Sequence, residues 1–90
     1  MILEDDMQKI FAANWKMYKT RAQAAQSASD LAKGLGHMPA GQDVVVFAPF
    51  TSISCVADAF KGVAALSAGG QNCYPAEEGA FTGETSPAML

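Results

Sequence analysis

The chain has 90 residues, 50% of them hydrophobic and 17% charged, with four prolines and eight glycines. That is a globular composition, neither disordered nor collagenous, and it suffices for a single segment over residues 1–90 but not for a two-domain enzyme. Six Lys and Arg against nine Asp and Glu give a net charge of −3, with no basic patch to track a phosphate backbone, so no nucleic-acid partner is expected.

At the N-terminus, Met1 to Asp6 is acidic where a signal peptide would be basic, and no apolar segment follows. The longest apolar runs, such as Val44 to Ala48, fall well short of the ~18 residues that span a bilayer. The expectation is a soluble, cytoplasmic protein without a membrane partner. Lys9-Ile10-Phe11-Ala12-Ala13 then reads as a buried strand that stops at the polar Asn14-Trp15-Lys16. From Thr20 the pattern becomes helical. Thr20 and Gln23 form a capping box, while Ala22, Ala25, Ala28, Leu31, Ala32 and Leu35 recur at helical spacing opposite Arg21, Gln26 and Asp30. Gly34 and Gly36 supply the stop.

Val44 to Ala48 is a continuous β-branched run without alternation, the pattern of a strand covered on both faces. Pro49 ends it. Thr51 or Ser52 caps a second helix of about three turns, with Ile53, Val56, Ala57 and Phe60 on one side and Gly62 beyond. Val63 to Ala68 reads as a third strand, weakened by its alanines. Strand, helix, strand, helix, strand with crossovers of this length calls for right-handed βαβ units, a parallel sheet and the α/β class. The stretch from Gly69 to Thr85 is polar, Gly-rich and longer than an ordinary loop, which suggests a task for it. Ser86-Pro87-Ala88-Met89-Leu90 has an N-cap, an N1 proline and a first helical turn, so the sequence reads as cut in mid-element.

Candidate chemistry follows from that order. Ligands of parallel sheets bind at the carboxyl edge of the strands, where Asn14 and Lys16 fall. A lysine ammonium there suits an anionic substrate or a developing oxyanion, and Asn14 offers a donor and an acceptor. On spacing alone the more ordinary assignment is a solvated lysine beside a loop-forming asparagine. Trp15 is assigned to packing. His37 follows the first helix and is expected to meet its last carbonyls. Cys55 and Cys73 lack a CxxC partner and a nearby base, so they are expected as free thiols and small buried hydrophobes, without a metal site. Glu77, Glu78 and Glu84 are carboxylates able to act as bases, but in a Gly-rich loop their ordinary state is solvated. Phe81, flanked by Gly79-Ala80 and Thr82-Gly83, is an apolar anchor that either inserts into a partner or folds back on its own domain.

Taken together, Asn14-Trp15-Lys16-Met17 after the first strand, Ala48-Pro49 after the second, and Gln71-Asn72 with Gly79-Ala80-Phe81-Thr82-Gly83-Glu84 after the third resemble triosephosphate isomerase. The resemblance runs from about Lys9 to Leu90. It implies a (β/α)8 barrel of roughly 250 residues, of which this chain covers about the first third, truncated after the third strand and its long loop. It also implies interconversion of dihydroxyacetone phosphate and glyceraldehyde 3-phosphate without a cofactor. Asn14 and Lys16 correspond to the substrate-binding pair, with Lys16 catalytic through its charge near the phosphate and reacting oxygens. The loop of residues 69–85 corresponds to the arm of a homodimer, with Met17, Phe81, Thr82 and Glu84 at the interface. The family's glutamate base and neutral histidine electrophile belong to segments after Leu90, so His37, Glu77, Glu78 and Glu84 do not take those roles and the isolated chain is expected to be inactive. Tyr18 departs from the asparagine of many members. Met7 stands nearer the usual start than Met1.

Two rival classes are open to test. A non-catalytic βαβαβ module would use residues 69–85 only for association and tolerate loss of Lys16. A mononucleotide-binding domain would need GxGxxG or GxxxxGK after the first strand, and neither is present.

Overall fold

Three apolar runs of five to seven residues, separated by two Ala-rich helical stretches, assemble into one parallel sheet. A computed structural model describes residues 8–90, so the acidic terminus and Met7 lie outside the described residues. The elements are β1 (Lys9–Asn14), α1 (Arg21–Gly34), β2 (Gln42–Ala48), α2 (Ile53–Ala59) and β3 (Leu66–Gly70). The strands lie in the order β1-β2-β3, with Phe11 beside Val44 and Val44 beside Leu66. This is the α/β class with parallel strands, as the sequence predicts. Among the described residues no helix is long and apolar enough to cross a membrane.

The core lies between the sheet and the helices. Ala24 and Ala28 of α1, Val46 and Ala48 of β2, Val56 and Phe60 at α2, and Leu66 of β3 are buried, with Trp15 and Leu31 packed on them. Small residues on α1 let that helix approach α2 closely. The buried stripe differs from the sequence expectation: Ala24 replaces Ala22, which is exposed. Alanine carries so little volume that neighbouring faces of an Ala-rich helix look alike in sequence.

Several further boundaries are corrected. β1 is an exposed edge strand, with Ile10 65% and Phe11 52% accessible, because β2 is its sole neighbour among the described residues. β2 is covered on the helix side only, where Val46 and Ala48 are buried while Val45 and Phe47 are half-covered. β3 begins at Leu66 rather than Val63, since Val63 N–H donates to Phe60 and Leu66 N–H to Val63 in a turn. The strand then runs through Gly69, over which the Phe47 ring lies so closely that a Cβ would sit 3.0 Å from it.

Helix ends show the same mixture. The α1 capping box is present, with Gln23 N–H donating to Thr20 Oγ1 at 3.3 Å and Thr20 N–H to Gln23 Oε1 at 2.9 Å. Its C-terminus uses no left-handed glycine: Gly34 is the last helical residue and Leu35 caps with its N–H on the Leu31 carbonyl. His37 is exposed beyond that point instead of closing the helix end. α2 has seven residues, two turns rather than three, and Ser52 occupies its N-cap without a side-chain capping bond. Ser86 does cap the final turn, its Oγ accepting from Met89 N–H at 3.2 Å.

Candidate functional site at the carboxyl edge of the sheet

Asn14 ends β1, so the residues after it lie at the carboxyl edge. Trp15 continues the ladder, its N–H donating to the Phe47 carbonyl at 3.0 Å, and its ring packs on the core as expected. Lys16 then leaves the extended region for φ 56°, and Lys19 takes φ 75°. For residues other than glycine this left-handed conformation costs on the order of 1 kcal/mol each and persists where neighbouring groups hold it. Asn14 does part of the holding. Its Oδ1 accepts from Lys16 N–H at 2.9 Å, an Asx turn that makes Asn14 a loop former while leaving its amide nitrogen available.

The two lysines of this loop are used differently. Lys19 places its ammonium 5.3 Å from the centre of the Trp15 ring, a cation–π contact that closes the loop onto the core. Lys16 is exposed, and the one ion pair among the described residues joins Lys61 and Asp58 elsewhere. A compact, exposed cation at a strand end, without a carboxylate partner among the described residues, can meet an external anion.

Gln71 is the residue whose part here the sequence did not disclose. It follows β3 directly, and its side-chain amide donates to the carbonyls of Lys16 at 2.9 Å and Phe47 at 3.0 Å. The ends of all three strands are thereby joined at one place. The only local hint was a polar Gln-Asn pair immediately after a strand.

Beyond Gln71 the long loop folds on itself. Tyr74 N–H donates to the Thr85 carbonyl at 2.8 Å, closing its base, and Glu84 N–H donates to the Phe81 carbonyl at 3.0 Å, turning its tip. The Tyr74 and Phe81 rings stack with centroids 4.4 Å apart. Gly79, at φ 152°, lies so close to Phe81 that a Cβ would be 2.7 Å from the ring. Phe81 packs on Tyr74 within its own loop, and 46% of the residue stays accessible. Thr82 and Glu84 are exposed near it, and Met17, beside Lys16, is 94% exposed. Glu77, Glu78 and Glu84 line a hollow within the loop together with Tyr74 and Phe81.

Both cysteines are free thiols. Cys55 is half-buried with its thiol donating to the Ser52 carbonyl at 3.1 Å, whereas Cys73 is exposed, against the expectation of burial, because it lies on the loop outside the core. Among the described residues no group of three or more His, Cys, Asp or Glu is arranged to hold a metal ion.

The family model for triosephosphate isomerase matches residues 9–90. The chain belongs to the triosephosphate isomerase family. The triosephosphate isomerase of Oleidesulfovibrio alaskensis is 54% identical over 84 residues, 93% of this chain and 34% of the relative. That of Nitratidesulfovibrio vulgaris strain Miyazaki F is 51% identical over 85 residues, and that of Chloroflexus aurantiacus 46% over 81 residues, 90% of this chain and 32% of the relative. The chain spans about a third of the length of the curated relatives it matches.

Proposed function

We propose that the complete gene product containing these residues is a triosephosphate isomerase, interconverting dihydroxyacetone phosphate and glyceraldehyde 3-phosphate in glycolysis and gluconeogenesis in the cytoplasm. The observation that carries this reading is the loop after β1, where an exposed lysine, without a carboxylate partner among the described residues, is held in a left-handed turn at the sheet's carboxyl edge. There Lys16 is the catalytic electrostatic residue. Its ammonium offsets charge on the phosphate and on the oxygens that become negative when a proton leaves carbon and an enediolate forms. Asn14 shares substrate binding through its free amide nitrogen. Proton transfer itself needs a base and an electrophile from other parts of a barrel, so residues 1–90 alone are expected to be inactive.

The arm of residues 69–85 is assigned to a homodimer interface, with Met17, Phe81, Thr82 and Glu84 facing the second subunit. Its self-closed shape supports that assignment, because a loop already ordered loses little entropy on docking. The test is an isomerase assay in both directions on the complete gene product. Turnover of triose phosphate without added cofactor is expected. Binding of neither triose phosphate nor its analogues would reject the proposal in favour of a module that only associates.

A further inference from the structure

Gln71 is exposed and uncharged, yet one side-chain amide spans the ends of two strands. A primary amide has two hydrogens, and here one goes to the Lys16 carbonyl and the other to that of Phe47. The Phe47 carbonyl also accepts from Trp15 N–H, which fixes Gln71 relative to the residue before Lys16. The Lys16 residue is therefore held at both ends, its N–H by Asn14 and its carbonyl by Gln71. Between those two holds lies the φ of 56°, which a lysine keeps where its surroundings enforce it.

We infer that Gln71 is a positioning residue for Lys16, fixing the backbone turn that aims the lysine ammonium at a phosphorylated triose. The inference rests on the isomerase reading above and adds to it the group that orients Lys16. Gln71 acts through the Lys16 carbonyl and does not itself touch substrate. The chemistry requires a donor of this length. A methionine would match the length without donating, and an asparagine would donate without reaching both carbonyls.

In the complete gene product, Gln71→Met is expected to raise KM for glyceraldehyde 3-phosphate about tenfold, the effect of losing two hydrogen bonds of ordinary net strength, with a smaller change in kcat. A merely structural role would lower the amount of active enzyme, hence apparent kcat, and leave KM in place. Unchanged KM in Gln71→Met and in Gln71→Asn overturns the assignment. A second readout needs no activity: the 13C shifts of Lys16, which report its left-handed backbone, are expected to move in Gln71→Met and to overturn the assignment if they stay. Should neither variant fold, couplings across the hydrogen bonds from the Gln71 amide to the Lys16 and Phe47 carbonyls decide the matter in the unmodified protein, their absence being the adverse result. If the unmodified gene product is inactive, the isomerase reading falls and the Lys16 shifts alone decide the role of Gln71.

Discussion

Individual residues in this chain are held in conformations that their own chemistry disfavours, and the holding groups explain why. Lys16 keeps its left-handed backbone because Asn14 and Gln71 grip both ends of it. Gly79 answers a different constraint, since its φ of 152° strains any side chain and a Cβ would lie 2.7 Å from the Phe81 ring, which would have to shift. Gly62, at φ 81°, has open space around it. Gly79→Ala is therefore expected to destabilise by about 2–4 kcal/mol and Gly62→Ala by about 1 kcal/mol, compared by chemical denaturation of the complete gene product. Equal losses would contradict the role given to the Phe81 contact. At this scale Asn14 and Lys16 were legible in the sequence because a polar triplet follows an apolar run. Gln71 was not, because its partners are backbone carbonyls 55 and 24 positions away, and backbone acceptors leave no residue signature.

The elements show where local chemistry decides structure and where packing overrides it. The start of α1 is decided locally, by two reciprocal bonds between Thr20 and Gln23. Thr20→Ala is expected to cost about 1 kcal/mol in the same denaturation measurement, and no loss would show that the cap is dispensable. The start of α2 is the opposite case. Of the two capping candidates, Thr51 and Ser52, the structure places Ser52 at the N-cap, where it is fully buried, makes no capping bond and has no partner for its Oγ among the described residues. Ser52→Ala should accordingly be neutral or stabilise by up to about 1 kcal/mol, since a buried hydroxyl without a partner carries only its desolvation cost. Clear destabilisation would reveal a partner for that oxygen. Parallel pairing was legible from the alternation of elements, while the start of β3 lies three residues later than its sequence suggests and α2 is a turn shorter. The β3 misplacement falls in alanine-rich sequence, where weak strand propensity leaves turn hydrogen bonds to set the boundary, while α2 stops where the Phe60 N–H turns onto the carbonyls at the helix end.

At the scale of the whole molecule, a three-stranded sheet carries both helices against one side and leaves the other partly open. The radius of gyration is 15.0 Å, against about 12 Å for an ordinary globular chain of this length. Ile10 and Phe11 on β1, and Phe50, Met89 and Leu90 elsewhere, are substantially accessible. β1 and β3 each present an edge that pairs with no other described strand. These surfaces are of the kind that further barrel strands and helices cover, in keeping with a chain that matches a third of its relatives. Expressed alone, residues 1–90 should self-associate and bind a hydrophobic dye. A monomer with a sharp, reversible thermal transition would show instead that the small core between α1, α2 and β2 is sufficient by itself. The apolar run of β1 predicts burial although the strand is exposed here, because such a run records what a strand is meant to face, whatever covers it.

All three scales converge on the lysine after β1. The most direct measurement is the isomerase rate of the complete gene product beside that of Lys16→Ala, with circular dichroism on both. Loss of a preorganised charge at the reacting oxygens should lower kcat/KM by at least about 100-fold while the fold persists. Activity retained within a few-fold in a folded Lys16→Ala protein would contradict the account, because the exposed ammonium would then be an ordinary solvated charge.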